Sequence, residues 1–223
     1  EGVAIVLVVA AAADAGDDTL TYTVNWGDGD QEVRNSNAGF THTYGDNGAY
    51  TATVTVTDED GGRDTASASV TVANVLPAGV SVSLPATSDE GVSVVAVVAS
   101  ASDVGADPLT YTVNWGDGTS DTNSTNAGFT HTYGDNGSFT ATLTVDDGDG
   151  GVVVTTSAIT VANVAPAGVS IASATGTEGT PVTVIVATAT DVPADTLTYT
   201  LDWGGAGTQD ANDPYTFTYA DHG

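Results

Sequence analysis

Hydrophobic and polar residues alternate at every second position along most of the chain, which is the period of a β-strand with one buried face. Leu109, Tyr111, Val113 and Trp115, for example, alternate with threonine and asparagine. Asp-Gly, Asn-Gly and Gly-Gly pairs, which favour tight turns, separate such runs. No segment shows the 3.6-residue period of an amphipathic helix. The pattern therefore predicts a chain built only of short β-strands.

The pattern is repeated along the chain, and the three tryptophans lie 89 and 88 positions apart. The decapeptide LTYTVNWGDG occurs at 20–29 and again at 109–118, and a looser copy begins at Leu197. A Glu-Gly pair opens each valine-rich run, and both joints carry the sequence Ala-Asn-Val. We expect the chain to be a window from a longer array. The predicted repeats are 1–76, which lacks its first strand, 77–165, which is complete, and 166–223, which lacks its last strands.

A complete repeat should hold about seven strands in about 89 residues, with one tryptophan on the third strand. Among them, the second repeat should have strands at 80–84, 92–99 and 152–161. That arrangement is typical of an immunoglobulin-like sandwich of two antiparallel sheets. The predicted fold class is all-β, with tandem immunoglobulin-like sandwiches stacked head to tail in a rod. The alternation assigns the tryptophans to the core rather than to sugar-binding platforms: Trp26, Trp115 and Trp203.

The charge of the chain excludes several classes of function. Its formal net charge is −27 at pH 7, and its two arginines are Arg34 and Arg63. Without lysine or cysteine there is no Schiff-base or thiol chemistry, no disulfide and no zinc–thiolate site. A polyanion repels phosphates, so neither nucleic-acid binding nor membrane insertion is expected. Of the 29 acidic residues, 24 are aspartates, which favour loops and turns over helices.

Several motifs together resemble those of the PKD (polycystic kidney disease) domain family. They are the strand that ends in Trp-Gly-Asp-Gly, the Thr-His-Thr-Tyr strand, a glycine turn, and the alternating strand Phe-Thr-Ala-Thr-Leu-Thr-Val. The likeness covers nearly the whole chain, although the third repeat has Gly-Gly where the others have Gly-Asp. The resemblance implies tandem PKD-type sandwiches of a secreted or surface prokaryotic protein. It implies mechanical or binding roles and no active site.

The histidines and the turn aspartates receive structural roles. His42 and His131 share strand faces with aromatic residues, and no second histidine, cysteine or acid close in sequence completes a catalytic or metal-binding set. Asp28 and Asp117 lie in the Gly-Asp-Gly turn, where a carboxylate normally caps its own backbone. No catalytic residue is predicted, and the chain is not expected to be an enzyme.

Other acids concentrate in loops that an immunoglobulin-like topology places at the joints between repeats. They recur in the loop before the tryptophan strand and in the loop between the last two strands. Head-to-tail stacking brings these loops to the Glu-Gly pair, the linker asparagine and the turn aspartate, Asp46 or Asp135, of the preceding repeat. Oxygen ligands without clustered nitrogen or sulfur favour Ca²⁺. The predicted calcium ligands are Glu1, Asn74, Asp103 and Asp107 with Asp146 or Asp149 at the first joint, and Glu90, Asn163, Asp191 and Asp195 at the second.

A halophilic source offers a second explanation of the acidity, in which surface carboxylates hold water. The acids should then be scattered over the strand faces. Those faces carry threonine and serine instead, and the acids lie in loops. Calcium binding is therefore the favoured interpretation, and the sequence leaves both explanations open.

Two functions remain open on the sequence alone. The first is a non-catalytic extracellular or cell-surface stalk or filament, structural or adhesive, whose repeats are made rigid by calcium. The second is a substrate-binding accessory module of a secreted hydrolase. The expected partners are neighbouring repeats or copies of the same protein, with a cell-surface or polysaccharide ligand as a second class. The lack of an exposed aromatic stripe favours the stalk.

Overall fold

The computed structural model describes residues 1–16, 18–105, 107–192, 195–204, 208–210 and 215–219, with the backbone alone for 208–210. Every regular element in these residues is a β-strand, which confirms the predicted all-β class. Within the described residues, strands pair only with strands of the same predicted repeat.

Most of the strands are short, as the spacing of the turn residues predicts, and the last two strands of each of the first two repeats are longer, with ten or eleven residues. Those of the first repeat are β1 (Ala4–Leu7), β2 (Thr21–Asn25), β3 (Gln31–Arg34), β4 (Phe40–Thr43), β5 (Gly48–Thr57) and β6 (Arg63–Val72). Those of the second are β7 (Val82–Ser83), β8 (Thr87–Asp89), β9 (Ser93–Val95), β10 (Val97–Val98), β11 (Thr110–Asn114), β12 (Ser120–Asn123), β13 (Thr130–Thr132), β14 (Gly137–Asp146) and β15 (Val152–Ala162). The described strands of the third are β16 (Ser170–Ile171), β17 (Pro181–Val184), β18 (Val186–Ala187), β19 (Thr200–Asp202), β20 (Thr208–Asp210) and β21 (Tyr215–Thr218).

Two sheets face each other in the second repeat. The larger has the order β12-β11-β14-β15-β8 and is antiparallel except for the β15–β8 pair. In the smaller, β9 pairs with β13 and β10 pairs with β7. The amide of Ala96, between β9 and β10, donates to the carbonyl of Phe129 at 3.0 Å and joins the two pairs. The first repeat follows the same plan with β3-β2-β5-β6 and the β1–β4 pair, so the tandem immunoglobulin-like sandwiches are confirmed.

The core lies between the two sheets and is centred on the tryptophan. In the second repeat, Trp115 and Leu143 of the larger sheet are fully buried in one cluster with Phe129. Trp26 and Trp203 are also buried, at 2% and 9% exposure. The assignment of all three tryptophans to the core is therefore confirmed.

A tyrosine and a glycine fix the turn that follows the tryptophan. The hydroxyl of Tyr133 donates to the carbonyl of Trp115 at 3.0 Å and so satisfies a buried acceptor. Gly116 has a φ of +86°, and a β-carbon there would lie 2.6 Å from the carbonyl oxygen of Thr140. Only glycine meets both conditions, which explains why Trp-Gly recurs in the sequence.

Two of the predicted strands are shorter or divided. The run 92–99 forms β9 and β10, because the chain changes its partner from β13 to β7 at Ala96. The run 80–84 forms only β7, and the chain then passes Pro85 and pairs β8 with β15 in the opposite sheet. Proline has no amide hydrogen for a sheet ladder, so the strand is interrupted where the chain crosses between sheets.

Candidate metal centre at the repeat joints

The first two repeats meet through the loop between β10 and β11. Val104 packs on Gly2, where a β-carbon would overlap the valine Cγ1. Gly105 has a φ of +100°, and a β-carbon there would lie 2.5 Å from the carbonyl oxygen of Gly45 in the β4–β5 turn. Because of these close approaches, the acids of this loop lie beside acids of the first repeat.

In the first two repeats, the glutamate of the Glu-Gly pair is buried, and one of its two carboxylate oxygens has no hydrogen-bond partner. Glu1 is 8% exposed, and its Oε1 accepts a hydrogen bond from the Val75 amide at 2.9 Å. Glu90 is 2% exposed, and its Oε1 accepts from the Val164 amide at 2.6 Å. In both residues Oε2 is buried and has no hydrogen-bond partner. A buried charged oxygen without a partner is costly, which points to a cation as its contact.

Two matching groups of three carboxylates include these glutamates. In each group, every residue offers one oxygen, and the three oxygens lie within 4.8 Å of one another. The first-joint triad is Glu1, Asp46 and Asp107, and the second-joint triad is Glu90, Asp135 and Asp195. Each triad takes two acids from one repeat and the third from the next. Like charges this close repel by a few kcal/mol even at an effective dielectric constant of about 20, and a shared cation removes that repulsion.

Two predicted ligands of the first joint lie outside its triad but carry unsatisfied oxygens. Asn74 donates its Nδ2 to Oδ2 of Asp147 at 2.8 Å, and its own Oδ1 is buried without a partner. Asp103 accepts the Val104 amide at Oδ1, and its Oδ2 is also buried without a partner. The linker and the β10–β11 loop therefore each contain a buried oxygen that has no hydrogen-bond partner.

The remaining predicted ligands occupy different environments. Asp146 caps its own turn, since its Oδ1 accepts the amide of Gly148 at 2.8 Å. Asp149 lies close enough to the joint for its charge to interact with the first-joint triad. Asp191 accepts the amide that follows it, and Asn163 is exposed.

The predicted ligand set omits Asp46 and Asp135, although stacking of the repeats was expected to bring both to the joints. The structure places them in the two triads. Both lie in the Gly-Asp-Asn-Gly turn, which connects β4 to β5 in the first repeat and β13 to β14 in the second. The exact repetition of this turn is the sequence feature that could have added them to the ligand set. The set also omits Asp147, which is fully buried and orients the linker through Asn74. Asp147 positions the Asn74 side chain through a hydrogen bond. A search for metal ligands by residue type does not detect such a positioning role.

Four acids at or beside the joints have shifted pKa values. Burial, followed by the charges of neighbouring carboxylates, raises the pKa of Asp107, Asp149 and Asp195. The pKa of Asp147 is lowered, first by the hydrogen bond from Asn74. The raised values show that the joint disfavours its own negative charge when no cation is bound.

The calcium-free chain is expected to become more stable as the pH falls from neutral toward the ordinary carboxyl value of 3.8. A pKa raised by folding means that the ionised acid destabilises the fold, and protonation relieves this as the pH falls through the raised value. Below 3.8 the lowered pKa of Asp147 acts in the opposite sense, because its stabilising charge is lost there. Melting curves in calcium-free buffer across this range test the expectation. A melting temperature that falls steadily from neutral pH would contradict it.

A histidine–aspartate pair accompanies each of the first two tryptophans. Nε2 of His42 lies 2.5 Å from Oδ2 of Asp28, and the imidazole stacks on Trp26 with ring centroids 4.8 Å apart. His131 and Asp117 form the same pair in the second repeat. Neither acid is a close sequence neighbour of its histidine, because each acid lies 14 positions earlier in the chain and reaches the histidine through folding. The pair ties the Gly-Asp-Gly turn to the neighbouring strand, a structural role.

Comparison with solved structures gives the crystal structure of the Protocadherin GammaB4 extracellular domain, which is 18% identical and aligns with a TM-score of 0.26. The match covers 94% of this chain and 40% of that chain, and at this TM-score it carries no argument. Comparison with curated proteins gives no significant match. The described part of the chain has no helix with the length and apolar character needed to cross a membrane.

The family comparison is more specific. The model of the PKD domain matches residues 1–72 and 76–161, which together make up more than two thirds of the chain. Domains of this family are typically non-catalytic binding or structural modules of extracellular or surface proteins. The two matched segments contain the first two tandem sandwiches described above. The chain therefore belongs to the PKD domain family.

Proposed function

We propose that the chain is part of a non-catalytic extracellular stalk or filament, structural or adhesive, in which calcium joins tandem PKD repeats rigidly. The observation that carries the proposal is the buried Oε2 of Glu1 and of Glu90, each without a hydrogen-bond partner and each in a triad shared by two repeats. Because the same arrangement occurs at two joints, a cation-binding function explains it better than a chance cluster of acids does.

The donor atoms favour calcium among the common cations. Both triads offer carboxylate oxygens only, and no nitrogen or sulfur ligand is among them. Ca²⁺ takes six to eight oxygens in flexible geometry at about 2.3–2.6 Å, whereas Mg²⁺ demands a near-ideal octahedron and keeps several waters. Transition metals prefer imidazole or thiolate ligands, which the triads lack.

Burial argues against the halophilic explanation at these positions. An acid that holds surface water must be exposed, whereas Glu90 is 2% exposed and Glu1 is 8% exposed. Exposed acids elsewhere, such as Asp64, remain compatible with that explanation. These two buried glutamates require a contact other than bulk water.

The proposed rigidity of the joint arises because its calcium ligands come from two different repeats. Glu1 and Asp46 belong to the first repeat and Asp107 to the second, so one ion would fix the two sandwiches to each other. Other contacts between the two repeats are Val104 on Gly2, Gly105 near the Gly45 carbonyl, and the hydrogen bond from Asn74 to Asp147. Without the ion, repulsion among the acids opposes these contacts, and the short linker around Asn74 becomes a hinge. The proposed partners are thus neighbouring repeats, or copies of the same protein stacked in the same way.

A distance measurement across the first joint tests the proposal. The chain has no cysteine, so cysteines introduced at Val33 and Val154, which are 56% and 57% exposed, can carry two spin labels. We expect a narrow inter-label distance distribution in millimolar calcium and a broad one in excess chelator. Equal distributions in the two conditions would contradict a calcium-rigidified joint.

Two substitutions make the test specific. Asp107→Asn should broaden the distribution even in calcium, because it removes a charge from the first-joint triad. Asp64→Asn is the matched control, since Asp64 is an exposed acid outside both triads. The control should behave as the unmodified chain does.

A further inference from the structure

The turn between β14 and β15 contains an aspartate that has no exposed surface, Asp147. Its Oδ1 accepts the backbone amides of Asp149 at 2.9 Å and of Gly151 at 2.8 Å, both within the same turn. Its Oδ2 accepts Nδ2 of the linker residue Asn74 at 2.8 Å. One carboxylate oxygen therefore holds the turn together, and the other contacts the preceding repeat.

The burial of Asp147 makes its hydrogen bond to Asn74 costly to break. Hydrogen bonds to charged groups are stronger than those between neutral groups. If the amide of Asn74 were lost while the repeats stayed in place, Asp147 Oδ2 would be a buried carboxylate oxygen without a partner, which is unfavourable. The contact can open at low cost only when water reaches Asp147, so the linker and the turn must separate.

The same turn occurs between β5 and β6 of the first repeat, where no asparagine is bonded to it within the described residues. The amide of Gly62 donates to Oδ1 of Asp58 at 2.7 Å, as that of Gly151 does to Asp147. A β-carbon on either glycine would overlap Oδ2 of the aspartate. The turn therefore forms without a bound asparagine, and its glycine leaves room beside Oδ2 for one.

The residue after Asn74 is bonded to the other repeat. The amide of Val75 donates to Oε1 of Glu1 at 2.9 Å. Two adjacent linker residues are thus held by two different repeats, Val75 by the first and Asn74 by the second. Neither hydrogen bond involves a cation.

We propose that the hydrogen bond between Asn74 and Asp147 connects the first two repeats without calcium and sets their orientation when the ion is absent. The repeats then pivot about Asn74 and do not separate freely. This connection goes beyond the proposed function, because it does not depend on the triads. It would keep the acids of the first joint near one another, ready for a cation to bind.

The spin labels at positions 33 and 154 test this proposal on the full chain in excess chelator. Asn74→Leu removes the hydrogen bond but leaves the charge of the joint unchanged, since both side chains are uncharged and similar in size. We expect a broader inter-label distance distribution than in the unmodified chain. Asn163→Leu is the matched control, because Asn163 lies in the second linker and is exposed. It should leave the distribution unchanged.

An exchange of the two side chains separates loss of the bond from damage to the linker. Asn74→Asp alone places two carboxylates against each other and should also broaden the distribution. Asn74→Asp combined with Asp147→Asn keeps the net charge and allows the amide at 147 to donate to the carboxylate at 74. Its remaining oxygen can still accept the two turn amides. This double variant should restore the distribution that the unmodified chain has in chelator.

The outcomes separate this proposal from the calcium proposal. In chelator, an Asn74→Leu distribution as narrow as that of the unmodified chain would overturn it, and so would a double variant as broad as Asn74→Leu. Both results leave the proposed function intact, because that function depends on the difference between calcium and chelator in the unmodified chain. If calcium has no effect but Asn74→Leu broadens the distribution, the proposed function fails and this connection stands.

Discussion

Replacing Trp115 by alanine is expected to destabilise the second repeat by about 3–5 kcal/mol, the range for a large aromatic side chain removed from a core. Trp115 is fully buried, its Nε1 donates to Asp121 at 2.8 Å, and its ring stacks on His131. The total stability of a domain is about 5–15 kcal/mol, so this loss is a large fraction of it. The midpoint of denaturant unfolding, monitored by circular dichroism, measures the effect.

Val154→Ala is the control for Trp115→Ala. Val154 lies on the second-repeat strand β15 but is 57% exposed, so its truncation should cost little. Equal, small effects of both substitutions would show that the tryptophan is not the core anchor.

Removal of calcium is expected to lower the melting temperature of the chain by an amount on the order of 10 °C. A ligand that binds only the folded state stabilises it by about 2.7 kcal/mol at one hundred times its dissociation constant. For a domain of the size of one repeat, each kcal/mol shifts the melting temperature by several degrees. The charge repulsion within both triads adds to the loss. Scanning calorimetry in calcium and then in excess chelator, at constant ionic strength, measures the shift.

Salt provides the control for the calcium effect. Sodium chloride screens exposed charges but does not replace a cation held by buried oxygens. Recovery of the melting temperature by sodium chloride alone, as complete as by millimolar calcium, would favour the halophilic explanation. Magnesium at the same concentration should restore less than calcium does.

The fold was predictable because its signals are local and repeated. Alternation around Trp26 and Trp115, together with the glycine turns, identifies half-buried strands without any knowledge of their partners. The boundaries of the strands were harder to predict. The run 92–99 is divided at Ala96 because its first part pairs with β13 and its second part pairs with β7. A pattern within one strand contains no information about its partners.

The candidate site was predictable only in part for the same reason. Glu1 and Asp107 stand out as acids repeated at fixed positions, yet they are 106 positions apart. Asp46 lies in a turn whose aspartate could equally cap its own backbone, and only the packing of Gly105 against that turn brings it to the triad. The contact of Asp28 with His42 was missed because it joins the turn after β2 to strand β4 of the facing sheet. Contacts between elements follow from the assembled fold, and the sequence shows only the residue types that take part.

Calorimetric titration of calcium into the decalcified chain tests the central claim most directly. Saturable binding is expected, with a stoichiometry above one, little response to magnesium, and weaker binding in Asp107→Asn than in Asp64→Asn. Binding that is absent, or that is equal for both cations and for both variants, would contradict calcium as the ion that joins the repeats.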